Sequence, residues 1–281
     1  MTTEIEPEPL IAPLSQRQHR QLRPSIANSV MRATTRIFWP TRRVESRTYW
    51  AEPELRGLPA FIRPGDHVFD VGAAHGMYTL PLAHLVGPTG AVHSFEPHPR
   101  QQRTLRFLRS LVGARHVSVN PAAVGDEVGD RTMRLPIING FPIYGHAHVT
   151  KGTEHSAPAG KVKTWDTPMT SIDAWVLAHG IPSVSFIKVD VEGFEPAVIT
   201  GARDTIDRFR PTLLLEIEDR HLQRYGRDAN QFADEIRATW PDYRMYSFDG
   251  TSWMPADRVR AGKNSRNYLF ATDSAFRTPR T

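Results

Sequence analysis

Five short apolar runs, rich in β-branched residues, constrain this chain more than any other feature. They are HVFDVG (67–72), AVHSFEP (91–97), VSVNPAAV (117–124), VSFIKVD (184–190) and TLLLEIE (212–218). Runs of that length fit strands buried on both faces of a parallel sheet. Helical stretches separate them. One extends from about Tyr78 to Val86 and stops at Gly87-Pro88. Another begins at Glu195-Pro196, where proline suits the first turn, and carries Val198, Ile199, Ala202, Ile206 and Phe209 along one face. A third covers roughly Asn230 to Trp240. Two last runs, YRMYSFDG (243–250) and RNYLFATD (266–273), are joined by a loop too short for a helical crossover and are expected to pair antiparallel. The prediction is an α/β fold: a doubly wound, mostly parallel seven-stranded sheet with one antiparallel strand near the edge. A plain dinucleotide-binding domain has no need of that strand.

At 281 residues the chain has room to bury a large core, and it contains no cysteine. Disulfide scaffolds, thiolate zinc sites and cysteine nucleophiles are thereby excluded. The opening MTTEIEPEPL lacks the basic and apolar regions of a secretory signal, and no run approaches the ~18 apolar residues needed to span a bilayer. A cytoplasmic enzyme is expected. The net charge of +5 is uneven, with Arg20, Arg23, Arg32, Arg36, Arg42 and Arg43 nearly unopposed. Residues 1–47 read as a basic, partly disordered N-terminal extension, with a helix conceivable at 24–40. Such an arm suits peripheral membrane contact, nucleic acid or an acidic substrate, or it simply wraps the domain as a solvated segment. Residues 48–281 read as one catalytic domain. Within it, about 131–165 is irregular and rich in glycine and proline, and is expected to be a lid or substrate loop.

The strongest local motif is D-V-G-A-A-H-G, Asp70 to Gly76, after a strand and opening a helix, where α/β folds bind nucleotides. The dinucleotide fingerprint wants glycine at 72, 74 and 77 and finds only Gly72; a methyltransferase turn wants 72, 74 and 76 and finds Gly72 and Gly76. Asp70, before the turn, can hold an ammonium group or order the loop. Gly72, Ala73 and Gly76 bring backbone close to a ligand. Glu96, ending the next strand, is placed to accept both hydrogen bonds of a ribose diol. Asp126, after Ala123-Val124, is placed to receive an adenine amino group, or is an ordinary turn aspartate.

Together with these, I-K-V-D-V-E-G-F-E-P (187–196), A-A-V-G-D (122–126), T-S-I-D (170–173) and R-P-T-L-L-L-E-I-E (210–218) resemble the FkbM family of methyltransferases over roughly residues 65–272. The resemblance implies a class I, Rossmann-like methyltransferase fold and S-adenosylmethionine as cofactor. It also implies methyl transfer to a hydroxyl of a sugar, glycolipid or secondary metabolite, so the expected partner is a small-molecule or glycan acceptor. One departure is Ala74, where many relatives carry asparagine. Lys188, Asp190 and Glu192 alternate at a strand end and are expected to share one side, facing the transferred methyl. Charges there are costly unless they pair or touch a ligand. Asp190 is the candidate base. Asp190, Glu192 and Glu216 are candidate oxygen ligands for Mg²⁺, an ion that would lower the acceptor's pKa. His146 and His148 offer a metal or base alternative, against the plainer reading as loop histidines.

Three other functions fit parts of the sequence. A nicotinamide-dependent oxidoreductase fits the glycine turn less well. A nucleic-acid methyltransferase would use the basic arm, but the chain has no N-P-P-[YF] motif and no evident RNA-binding module, so no nucleic-acid partner is expected. A non-catalytic protein docking through the arm would have no use for the acids at 190 and 192.

Overall fold

A computed structural model describes residues 52–138, 141–142, 147–151, 161–260 and 266–276. The expectations for the 1–47 arm, the helix at 24–40 and His146 lie outside the described residues.

The strands in chain order are β1 (His67–Val71), β2 (Ala91–Phe95), β3 (Val117–Asn120), β4 (Ala123–Val124), β5 (Gly129–Ile138), β6 (Phe141–Pro142), β7 (His148–Val149), β8 (Lys161–Thr170), β9 (Phe186–Val189), β10 (Thr212–Glu216), β11 (Tyr243–Phe248), β12 (Trp253–Pro255) and β13 (Asn267–Thr272). The main sheet runs β12-β11-β13-β10-β9-β1-β2-β3. From β10 to β3 every pairing is parallel, while β13 is antiparallel to both β10 and β11. The sheet thus has eight strands where seven were expected, because the short β12 turns back on β11 as an added edge.

Alternation along the central strands sends side chains to two cores. Phe69, Val71, Ile187, Val189, Leu213 and Leu215 face a layer that includes Val176, Val198, Ile206 and Phe232. Val68, Val92, Phe186 and Leu214 face Tyr78, Leu82 and Val86 on the other side. Each such aliphatic or aromatic side chain contributes roughly 1.5–3 kcal/mol on full burial, which makes the parallel core the rigid frame of the molecule. Asp70 and Lys188 pair across β1 and β9, in step with Val68 and Phe186, so two charged side chains are carried into the second core.

Three expected elements divide. VSVNPAAV breaks at Pro121, which has no N–H to give a ladder; Val117–Asn120 stays in the main sheet and Ala123–Val124 joins a second one. The helix at 195–209 splits into Glu195–Thr200 and Arg203–Phe209 around Gly201. A Cβ on Gly201 would lie 2.0 Å from the Gly125 carbonyl oxygen, so the backbones meet there. Among the described residues, the stretch at 131–165 expected to be irregular is largely strand. β5 pairs antiparallel with β8 from Gly129↔Met169 to Ile137↔Lys161, within a second sheet ordered β4-β8-β5-β6, and β7 also pairs with β5. Lys161–Thr170 is mostly polar and carries Pro168, so it shows none of the apolar alternation that marks a half-buried strand.

Candidate active site

The carboxyl ends of β1, β2 and β9 open into a cavity that is partly open to solvent. Its floor includes Gly72, Glu96, Asp190 and Glu192; Met133 and Val149 of the second sheet face it from the other side.

The turn after β1 is shaped by close approach. Gly72 sits at φ +81, and a Cβ there would be 1.8 Å from the Asp190 carbonyl oxygen. Glycine is needed for contact with the neighbouring chain segment as much as with any ligand. The amides of Gly72 and Ala73 both donate to the Phe95 carbonyl at 3.0 Å, so Ala73 orders the turn and is not part of the cavity wall. Ala74 does line the cavity, in the left-handed region at φ +46, a conformation that asparagine tolerates better than alanine. Gly76, at φ +91, is away from the cavity; a Cβ there would meet Leu105 at 2.5 Å.

Glu96 is 5% exposed. Its Oε2 accepts from the Ala74 amide at 2.8 Å and its Oε1 from the His98 amide at 2.7 Å. Each oxygen retains a lone pair, and the residue lines the cavity. Burial outweighs these two bonds and pushes its pKa up to about 7. Asp70 differs from the expected ligand. It is buried behind the turn, accepts a hydrogen bond from the Thr79 hydroxyl, and has its pKa raised by burial to about 6. Of its two expected roles, ordering the loop is the one its contacts match. Asp126 also stands apart: both its oxygens are 3.1 Å from Lys151 Nζ, and the cavity does not include it.

Of the three charges expected to share one side, Asp190 and Glu192 line the cavity and Lys188 does not. β9 ends at Val189, so period-two alternation stops before Glu192. Lys188 is buried in the core, donating to Asn267 Oδ1 at 3.1 Å and lying 3.4 Å from Asp190 Oδ2 and 5.0 Å from the centre of the Tyr78 ring. Burial opposes its charge, but Asp190, Glu52, Glu216 and Asp70 together hold its pKa up. Asp190 feels the converse: burial disfavours its charge, and Lys188 outweighs that and lowers its pKa. Asp190 reaches the cavity as an ion-paired carboxylate. Glu192 gets there through a left-handed turn at φ +60, and burial, with repulsion from Asp190 and Glu195, raises its pKa to about 8. Glu195 holds that turn, its Oε1 accepting from the amides of Val191 at 3.0 Å and Gly193 at 3.1 Å.

Glu216 is buried at the end of β10. Sequence reasoning passed over His221, five residues further on, which lies 3.0 Å from Glu192 Oε2. It also missed Glu52, whose Oε2 accepts from Tyr78 and from Asn267 and so links three distant segments beside Lys188. The spacing of Glu216 and His221 after a strand end was a usable signal for the first. No local pattern marks the second. His148 is buried on β7, outside the cavity wall.

A parallel sheet with an antiparallel strand inserted next to its last parallel one, and a cavity over its central strand ends, defines a class I methyltransferase fold. The chain belongs to the family described as Methyltransferase FkbM domain, which matches residues 70–245. It is 33% identical over 164 residues to the 31-O-demethyl-FK506 methyltransferase FkbM of Streptomyces tacrolimicus; the alignment spans 51% of this chain and 62% of that relative. Among solved structures, methyltransferase FkbM from Methylobacillus flagellatus KT superposes with a TM-score of 0.49 at 18% identity, over 78% of this chain and 47% of that one. An O-methyltransferase from Bacillus cereus in complex with SAH gives 0.48 at 12% identity, over 92% and 96%. Membership of a methyltransferase family sets the nicotinamide alternative aside. Among the described residues, no helix is long and apolar enough to cross a membrane.

Proposed function

We propose that the chain transfers a methyl group from S-adenosylmethionine to a hydroxyl of a small acceptor, a sugar, glycolipid or secondary metabolite. The observation that carries this reading is that Gly72, Glu96 and Asp190 line one cavity. The relative from S. tacrolimicus is named for a substrate that lacks an O-methyl group, which favours oxygen as the acceptor atom.

The residues present fit the cofactor. Glu96 offers two buried oxygens with lone pairs aimed at the cavity, as a ribose diol requires, and Phe95, Pro97 and Val124 give apolar walls for a base. When bound, S-adenosylmethionine supplies an electrophilic sulfonium methyl. The chain's own work is then placement and proton removal. Alignment of the acceptor oxygen behind that methyl is worth about 7–11 kcal/mol, and a positioned base about 10²–10⁴-fold in rate. Asp190, kept ionised by Lys188, accepts the acceptor's hydroxyl proton, and Glu192 beside it fixes the hydroxyl's orientation. The basic composition of residues 1–47 suits holding the enzyme near an anionic surface.

The test is to incubate the protein with methyl-labelled S-adenosylmethionine and an extract of hydroxylated metabolites and glycolipids. Label is expected in a base-stable ether. Failure of the protein to bind either S-adenosylmethionine or its demethylated product would overturn the reading.

A further inference from the structure

Behind Glu192 the structure brings together two carboxylates and an imidazole whose charges do not balance. Glu192 Oε2 lies 3.0 Å from His221 Nε2, and Glu216 Oε2 lies 3.8 Å from His221 Nδ1, too long for a hydrogen bond. One ligand atom from each of the three residues falls within 4.8 Å of the others. Three donors held at 2.0–2.2 Å around one ion lie about 3.3–3.8 Å apart in tetrahedral or trigonal geometry, so a side-chain adjustment of up to about an ångström closes these on a common centre.

Two further observations point to a ligand. Glu216 is 5% exposed, and its Oε2 is buried with no hydrogen-bond partner. A buried carboxylate oxygen left in that state costs several kcal/mol unless something neutralises it. The neighbouring cations are engaged elsewhere. Lys188 pairs with Asp190, Arg220 with Glu218, and Arg266 Nε lies 3.0 Å from Glu218 Oε1 while its Nη1 is 3.9 Å from Glu216. Arg224 donates to the Glu192 carbonyl at 2.9 Å. Were Glu192 and Glu216 both ionised, with Lys188 balancing Asp190, they would leave two negative charges, of which a protonated His221 would offset only one. A divalent cation with neutral His221 as a ligand offsets both.

The backbone is built for this approach. Gly193 sits at φ +103, and a Cβ there would lie 2.4 Å from the His221 carbonyl oxygen, so only glycine lets the turn bearing Glu192 press against the His221 turn.

We infer that Glu192, Glu216 and His221 form a binding site for a divalent transition-metal ion, Mn²⁺ or Zn²⁺. This differs from the Mg²⁺ set of Asp190, Glu192 and Glu216 expected from the sequence, because Lys188 occupies Asp190 and an imidazole replaces it. Imidazole together with carboxylates favours these ions over Mg²⁺ or Ca²⁺. The site stands on its own geometry; only its chemical use, lowering the pKa of an oxygen next to Asp190, rests on the methyl-transfer reading.

The experiment uses the full chain, dialysed against chelator and then titrated with Mn²⁺ by electron paramagnetic resonance and with Zn²⁺ by calorimetry. Binding of S-adenosylhomocysteine is measured in parallel, so that failure of the cofactor reading shows separately. Sub-millimolar uptake of a single ion is expected, with nitrogen coupling from one imidazole in the electron spin echo of bound Mn²⁺. That readout on the unmodified protein needs no variant. Glu216→Gln and His221→Gln should each weaken uptake by at least about 100-fold, more than the loss of an outer hydrogen bond to a metal ligand. Uptake of neither metal, or Mn²⁺ bound without nitrogen coupling, would overturn the proposal and leave His221 as a protonated bridge between the two acids.

Discussion

Replacing Glu96 by glutamine isolates the contact on which cofactor binding depends. In the native structure each Glu96 oxygen already accepts one backbone amide, from Ala74 and His98, and has one direction left for a ribose hydroxyl. Hydrogen bonds to a charged acceptor are worth about 1.5–3 kcal/mol each, against about 0.5–1.5 for neutral pairs. Glutamine keeps one acceptor and sets an amide N–H₂ against a backbone N–H, so one diol bond is lost and the other becomes neutral. The net loss is roughly 2–4 kcal/mol, or about 30- to 1,000-fold in affinity at 1.4 kcal/mol per decade. Calorimetry with S-adenosylhomocysteine and with adenosine should show the same loss for both, since the change lies at the nucleoside end. 2′-Deoxyadenosine, which already lacks one donor, should lose less. The variant should also unfold at lower temperature, because an unpaired buried donor costs about 1–3 kcal/mol. A folded Glu96→Gln protein that binds adenosine within about threefold of wild type would refute the reasoning.

The pH dependence follows from the same residue. Burial holds free Glu96 near a pKa of about 7, and diol donors need it ionised, so adenosine affinity should fall below pH 7, by up to about tenfold per unit, and stay flat above it. Calorimetry from pH 5.5 to 8.5 checks this, and a pH-dependence that survives in Glu96→Gln would contradict it. Asp190→Asn should abolish turnover in a labelled-methyl assay while leaving S-adenosylhomocysteine affinity unchanged; equal turnover would remove Asp190 from the mechanism. Gly72→Ala adds a Cβ 1.8 Å from the Asp190 carbonyl at φ +81 and should cost about 2–5 kcal/mol, read as a drop in Tm of roughly 5–15 °C. Lys188→Met strips the buried Asp190 of its partner and should destabilise by about 3–5 kcal/mol in urea unfolding, with loss of less than 1 kcal/mol speaking against a buried pair.

The parallel core could be read from the chain because burial on both faces leaves an unbroken apolar run such as Leu213–Leu215, and Pro or Gly marks where such runs begin or end. The Glu96 position was legible for the same reason: a strand end fixes a side chain in space. The second sheet was not, because β8 is mostly solvent-facing and held by a partner more than twenty residues away in sequence, which leaves no local signature. For Lys188, the structural ion pair that the sequence allowed beside a catalytic role is the one its contacts match, while the alternation argument misled in a specific way. Alternation predicts a common face for 188, 190 and 192 only while the strand lasts, and it stops at Val189, after which Glu192 is aimed by a left-handed turn that Glu195 and Gly193 impose. Glu52 joined the charged cluster through tertiary packing with no period or motif to announce it, and His221 left only its spacing after Glu216 at a strand end.

That cluster explains a cost the sequence alone cannot. Asp70, Lys188, Asp190, Glu192 and Glu216 crowd the ends of three adjacent parallel strands, and burial with mutual repulsion pushes the pKa of Asp70, Glu192 and Glu216 upward. A stability optimum would fill this space with apolar side chains, since replacing buried ion pairs in that way is often neutral or stabilising. The groups that escape the apolar solution are those at the carboxyl edge, where Asp190 and Glu192 line the cavity and Glu216 keeps an oxygen without a partner. Asp70 and Lys188, further from that edge, are satisfied by Thr79, Asn267 and Asp190. The unsatisfied charge therefore increases toward the cleft, the direction expected when a positive partner arrives there from outside the chain.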